Sequence, residues 1–216
     1  MKKALIVYGG WPGHDPEGLK EVFTDILTKE NFDVTSSDSL DAFLGDLGGF
    51  DLIVPVWTMG SLTSEQEKNV CAAVAKGTGL AGCHGGMCDA FRNNVLWQFM
   101  TGSQWVAHPG NGGVTYRVRM KRASSSPLID GIGDFDVTSE QYYLHVDPAV
   151  EVLAVTDFAI DNGDHFSNGI ITMPVAYTKM WGKGRVYYNS LGHNRKIFDI
   201  PEAREMMRRG FLFAAR

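Results

Sequence analysis

Three short apolar runs, each closely followed by glycine, set the strongest limit on how this chain can fold. They are Ala4 to Tyr8 before Gly9-Gly10, Asp51 to Trp57 ("DLIVPVW") before Gly60, and Leu80 to Cys83 inside "GLAGCHGGMC". Their apolar residues fill successive positions rather than alternate ones, which suits strands buried on both faces of a parallel sheet. Helix patterns lie between them. Asp15 is placed to cap a helix that Pro16 opens, and Leu19, Val22, Phe23, Ile26 and Leu27 form one apolar face. Leu40, Phe43, Leu44 and Leu47 repeat that spacing up to Gly48-Gly49. Thr63-Ser64-Glu65-Gln66 is a capping box for a helix to about Lys76, stopped by Gly77. Met87 to Met100 reads as a further helix. Alternating strands and helices predict an α/β fold, a three-layer αβα sandwich with a mostly parallel sheet of flavodoxin-like type.

The second half changes character. Val114 to Met120, Val150 to Thr156, Pro174 to Lys179 and Arg185 to Ser190 read as strands. Ser124 to Pro127 is a loop, while Asn162-Gly163 and Gly182-Lys183-Gly184 are turn signals. A helix from about Pro201 to Ala215 closes the chain. No linker or repeat divides it, so one domain over residues 1–216 is expected.

Charge and cysteine usage narrow the function classes. The net charge is −5 with no basic run, which argues against a nucleic-acid partner. No apolar run approaches the ~20 residues that span a bilayer, and no membrane partner is expected. The basic start, Met1-Lys2-Lys3, precedes too short an apolar run for a signal peptide, so a cytoplasmic location is expected. Three cysteines are an odd number; Cys83 and Cys88 lack CxxC spacing and Cys71 stands alone. A disulfide framework and a thiolate zinc site are both disfavoured.

In open parallel sheets, ligands bind beyond the carboxyl ends of the strands. The loops Gly9 to His14, Trp57 to Gly60, His84 to Gly86 and Ser190 to Asn194 leave strands in that sense. The rule sets His14, Trp57, His84 and His193 along one rim, with Gly10 letting a ligand approach the backbone. Within a regular strand Glu140 and Tyr142 share one face of "SEQYYLHVDP", and Tyr143 and His145 the other. All four can contribute to one pocket only across a bulge or loop.

The stretches "YGGWPGHDPEG", "GCHGG", "HPGNGG", "SEQYYLHVDP" and "MPVAYTKMWGKGRVYYNSLGH" carry a resemblance. With a G-x-[Cys/Ser]-x-G-like turn after a central strand, the chain resembles the class I glutamine amidotransferase fold. More closely, and nearly end to end, it resembles the ThuA-like (trehalose utilisation) family. The resemblance implies that fold and a part in disaccharide utilisation, on sugars oxidised at the 3-position by a partner dehydrogenase. Laid on the amidotransferase turn, the chain reads Gly82-Cys83-His84-Gly85-Gly86. The apex is His84, and Cys83 lies one residue earlier, pointing to the other side. Glutamine hydrolysis needs a thiolate at the apex and is not expected. A hydrolase with Cys83 as nucleophile and His193 as base is the competing register.

The remaining assignments follow from these motifs. His84, Glu140 and His193 are the candidate catalytic residues, as acids and bases. Gly10, His14, Trp57, His108, Tyr142 and His145 are candidate substrate-binding residues for a small-molecule sugar, with Trp11 and Trp181 as further flat rings. His14, His84 and His193 with a water would make an open site for a divalent metal such as zinc, assembled from separate loops rather than from an HExxH motif. His165, the one histidine of six outside these motifs, follows Asp161-Asn162-Gly163-Asp164, a calcium-like run with Thr172 where a glutamate is expected. A keto group acidifies the neighbouring C–H, so proton abstraction by His or Glu would drive elimination, hydration or isomerisation. A non-catalytic sugar-binding or regulatory protein is the alternative on the same scaffold. A homo-oligomer is a further expectation, without a motif to mark its interface.

Overall fold

The computed structural model describes residues 1–158 and 167–216. The Asn162-Gly163 turn, the Asp161–Asp164 run and His165 lie outside the described residues. Among the described residues nine strands form one sheet in the order β2-β1-β3-β4-β11-β10-β9-β6-β7. Here β1 is Lys2–Gly10, β2 Phe32–Ser37, β3 Leu52–Thr58, β4 Gly79–Cys83, β6 Val114–Met120, β7 Phe135–Ser139, β9 Glu151–Phe158, β10 Ile171–Trp181 and β11 Gly184–Asn189. Two further strands, β5 (Ser103–Ala107) and β8 (Tyr143–Val146), pair antiparallel in a small separate sheet.

The large sheet has two halves. β2, β1, β3, β4 and β11 run parallel. β10, β9, β6 and β7 continue it with antiparallel pairing. The hairpin at Trp181–Gly184 makes the change, so β11 returns beside β4 with Val186 opposite Leu80. That return brings two strands that are distant in sequence to the same carboxyl edge.

Successive residues of the central strands feed opposite layers. Ala4 and Ile6 of β1 join one core, with Phe23 and Leu27 of α1 (Pro16–Lys29) and Met207 and Phe211 of α5 (Pro201–Ala214). Leu5 and Val7 join the other, with Val70 and Val74 of α2 (Ser64–Lys76) and Trp97 of α4 (Val95–Thr101). Phe23 is fully buried and meets Phe198 and Phe211 edge-on at 5.2 Å each. The three-layer α/β architecture follows from this two-sided burial. β6 instead buries Tyr116, Val118 and Met120 and exposes Thr115 and Arg117, the one-sided pattern of antiparallel sheet.

Two expected helices differ. The Met87–Met100 pattern breaks into α3 (Gly85–Cys88) and α4. The carbonyls of Asp89 and Ala90 accept hydrogen bonds from the backbone N–H of Met59 and Gly60, and the Asn94 amide pairs with both backbone groups of Leu62. The loop after β3 thereby takes groups that a continuous helix would need. In place of an α-helix over Leu40 to Leu47 there are two short 3-10 turns, Leu40–Leu44 and Leu47–Gly49, and Asn69 of α2 donates to the carbonyls of Phe43 and Gly45 between them.

Candidate active site

The carboxyl ends of β1, β3, β4 and β11 carry the polar cluster. After β1, Gly10 turns with φ +77°, and a Cβ there would lie 2.1 Å from the carbonyl oxygen of Thr58. Trp11 then donates its N–H to that same carbonyl at 3.0 Å. The loop is thus laid across the end of β3, and a 3-10 turn over Pro12–His14 aims His14 inward. His14 is buried, with Nδ1 3.0 Å from the Thr58 hydroxyl.

After β4, His84 occupies a left-handed backbone position (φ 48°, ψ −142°) before the short α3. This is the sharp strand-to-helix bend that presents one side chain at the top of a sheet. Such a conformation at a non-glycine residue costs on the order of 1–3 kcal/mol, and it belongs to sites where geometry is enforced. Gly85 makes room for the neighbouring ring: a Cβ there would lie 2.7 Å from Nδ1 of His14. His84 is 1% exposed. Its Nδ1 donates to the carbonyl of Ser190 at 2.7 Å, which fixes the hydrogen on that nitrogen because a carbonyl only accepts.

Glu140 arrives from the other half of the sheet, on the link between β7 and β8. Tyr116 donates its hydroxyl to the Glu140 backbone carbonyl at 3.1 Å and anchors that link. The Glu140 Oε2 atom is 3.1 Å from Nε2 of His84, 3.4 Å from Nδ1 of His193 and 3.5 Å from Nε2 of His14. Among the described residues no lysine or arginine pairs with it. Burial drives the His84 imidazole down to about 4, against the opposing pull of Glu140. Burial works to raise the Glu140 carboxyl, but its contacts with His14, His193 and His84 outweigh that and hold it below the usual carboxylate range. His84 Nδ1 is thus taken by Ser190, and Nε2 is the nitrogen that faces the Glu140 carboxylate.

Around this centre the predicted residues separate. Tyr142 stacks on His84 with ring centroids 3.8 Å apart. His108 lies one ring further out, parallel to Tyr142 at 6.0 Å. The link bearing Glu140 and Tyr142 is not a strand, and only that side of the motif contributes. Tyr143 packs on Phe158 at 5.5 Å. His145 is exposed on β8 beside Val95, Phe99 and Asp147, away from the cluster, because the pairing with Gln104 turns it outward. Trp57 packs over Gly9 and Gly60 on the sheet's α2 side. The aromatic ring that meets a cluster histidine from the rim is Trp11, 4.7 Å from His14 and 45% exposed. Trp181 is spent elsewhere, donating Nε1–H to the Cys71 carbonyl.

The competing thiol register fails on geometry. Cys83 is 1% exposed in the core on the α1 and α5 side, and burial raises its thiol far above the range of a reactive thiolate. The Cys88 sulfur is enclosed by the His84 carbonyl and the Tyr188 hydroxyl, and burial raises it likewise.

Several contributors carry no sequence motif. Thr58 and Ser190 orient two of the rings through a hydroxyl and a carbonyl. Trp105, on β5, sits 5.3 Å from His108 and 6.4 Å from Tyr142, with Arg92 4.5 Å above its ring. Trp105 Nε1 and His108 Nδ1 are both buried without a hydrogen-bond partner. Asp15 and Arg195 clamp the two loops that bear His14 and His193. Arg195 donates to both Asp15 carboxylate oxygens, and its side-chain hydrogen bond holds the Asp15 carboxyl below its ordinary range.

Solved structures share this architecture. A ThuA-like protein from Parabacteroides merdae ATCC 43184 superposes with a TM-score of 0.78 at 17% identity, over 99% of this chain and 89% of that one. A second, from Bacteroides uniformis ATCC 8492, gives 0.76 at 16% identity, over 97% and 89%. A cytoplasmic protein from Salmonella typhimurium LT2 gives 0.70 at 14% identity, over the full length of both chains. A comparison with curated protein sequences gives no match. No helix among the described residues is long and apolar enough to cross a membrane. The sequence model of the ThuA family, described as trehalose utilisation, matches residues 3–214, and the chain belongs to that family.

Proposed function

We propose that this protein is a cytoplasmic enzyme of carbohydrate utilisation, acting on a disaccharide or glycoside oxidised to a ketone at the 3-position. One observation carries the reading: three imidazoles and one carboxylate, from four separate segments, converge on a single oxygen atom at the carboxyl edge of the sheet. Stability alone does not favour such a group. Gathering four buried polar side chains costs free energy in desolvation, which supports a functional reason for the arrangement.

The reaction class is proton transfer at the carbon next to the ketone, leading to elimination, hydration or isomerisation. His84, Glu140 and His193 form the reacting group, and His14 supports it from the Thr58 side. The unpartnered Trp105 Nε1 and His108 Nδ1 beside Tyr142 suit sugar hydroxyls, and exposed Trp11 offers a flat apolar face to a pyranose ring. Turnover of 3-keto-disaccharides followed by NMR in deuterated water tests this. The expected result is deuterium entering the carbon beside the ketone, with product, in the wild type but not in His84→Ala. Thermal stabilisation by such sugars without any consumption would instead favour a binding or regulatory protein.

A further inference from the structure

We infer that His14, His84, Glu140 and His193 hold one divalent transition-metal ion, with Glu140 as a ligand alongside the three imidazoles. This deepens the reading above, since it concerns the same pocket: with an ion bound, these side chains would hold it and the ion would polarise the ketone, in place of their acting as acids and bases themselves, and the assignment fails or stands on separate measurements.

The convergence of donor atoms points to a cation. The Ser190 carbonyl holds His84 Nδ1 at 2.7 Å, so Nε2 is the nitrogen directed at Glu140 Oε2, 3.1 Å away. Nδ1 of His193 is buried, has no hydrogen-bond partner and lies 3.4 Å from that oxygen. Nε2 of His14 completes the set at 3.5 Å. A single divalent ion satisfies all four donors and leaves a net charge of +1.

The distances agree with that occupant. Zinc bonds nitrogen and oxygen at about 2.0–2.2 Å, which sets a tetrahedral edge of about 3.3–3.6 Å between ligands. The three contacts of Oε2, at 3.1, 3.4 and 3.5 Å, fall on or near that edge. No two of the four donor atoms are more than 4.8 Å apart, so one ion reaches all of them with small ring movements. The outward nitrogens add a second observation. Metal-bound imidazoles usually have their other nitrogen held by a carbonyl, a carboxylate or water. His84 Nδ1 has the Ser190 carbonyl, and His14 Nδ1 has the Thr58 hydroxyl in the same capacity. His193 has the most exposed side chain of the four, 22% against 7% or less for the others, so a further coordination position opens toward substrate on its side.

Two measurements test the assignment on the full chain. Elemental analysis after dialysis against dipicolinate and reloading with Zn(II) should give one equivalent per chain and a raised Tm. Co(II) loading should give visible d–d absorption of four- or five-coordinate strength. Glu140→Gln and His193→Ala should lose both signatures while keeping the wild-type far-UV circular dichroism. Thr58→Val should weaken zinc by about 10- to 100-fold, as loss of an orienting partner does. Folded wild-type protein that takes up neither ion stoichiometrically, or a Glu140→Gln variant that binds as tightly as wild type, would overturn the site. Metal bound without turnover of keto-sugars would leave the site standing and remove the proposed substrate. Full turnover of keto-sugars by protein that takes up neither ion would do the reverse.

Discussion

The parallel and antiparallel halves of the sheet are built differently and give different things to the site. Strands β1, β3, β4 and β11 are buried on both faces, and their carboxyl ends supply His14, Thr58, His84, Ser190 and His193. Strands β6, β7, β9 and β10 run antiparallel, and β6 and β7 alternate buried with exposed residues. From that half comes one side chain of the cluster, Glu140, on the link that follows β7. A parallel sheet gathers chemistry because its strands all end on one edge. The antiparallel extension has no such edge and reaches the cluster only through an anchored loop.

The largest expected effects test whether both halves are needed. Under the proposed function, Glu140→Gln and His84→Ala should each lower kcat/KM on a keto-glycoside by about 10²- to 10⁴-fold, the range for a lost acid or base. If Glu140→Gln keeps full activity while His84→Ala does not, the antiparallel half is scaffold alone. Stability should divide along the same line. Phe23→Ala, which empties the fully buried contact between α1 and α5, should cost about 3–5 kcal/mol by chemical denaturation. Arg117→Ala removes only the exposed 3.2 Å pair with Asp136 across β6 and β7, and should cost less than about 1 kcal/mol. Equal losses for the two variants would break the contrast.

Gly85→Ala probes the junction where fold meets chemistry. The added methyl meets the His14 ring rather than open space. Overpacking of this kind costs roughly 1–3 kcal/mol. His14 should be displaced from Thr58, and turnover should fall with no titrating group removed. Unchanged activity would show that the close approach of these two segments is incidental.

Much of this was legible in the sequence, for definable reasons. Two-sided burial gives continuous apolar runs, so β1, β3 and β4 were visible. The bend at His84 was visible because glycines must follow it, and the three cluster histidines were placed by the rule that such loops share an edge. Glu140 was marked by its motif. Other features had no local signature. The break between α3 and α4 depends on the loop after β3 taking the Asp89 and Ala90 carbonyls. β5 and β8 are short strands whose pairing is purely tertiary. The positions of Trp11 and Trp57 are of this kind too, because sequence shows strand position but not which face of the sheet a ring fills. Thr58 and Ser190 act through a hydroxyl and a backbone carbonyl, groups that occur too widely to stand out.

The smallest effect concerns how the halves are tied together at the far side of α5. Glu205 receives hydrogen bonds from Arg208 and Arg209, with Nε of Arg209 at 2.7 Å. Arg209 also donates Nη1 to the carbonyls of Pro127 and Asp130, in the connection between β6 and β7. Glu205 therefore orients an arginine that joins a helix of the parallel half to a loop of the antiparallel half. The hydrogen bond from Arg208, with that from Arg209, lowers the Glu205 carboxyl from 4.5 to about 2. A carboxyl depressed in the folded state stabilises above its unfolded pKa, and that contribution fades as pH falls through the folded value. Relative to wild type, Glu205→Gln should be less stable near neutral pH by no more than about 1 kcal/mol after solvent screening, a Tm lowered by roughly 2–4 °C at most. The gap should close between about pH 4.5 and pH 2. Hydrogen exchange should show the loss concentrated at the amides of residues 127–132 and of α5. A gap that persisted at pH 2, or exchange unchanged in that loop, would mean the two halves are held together by the continuous sheet alone.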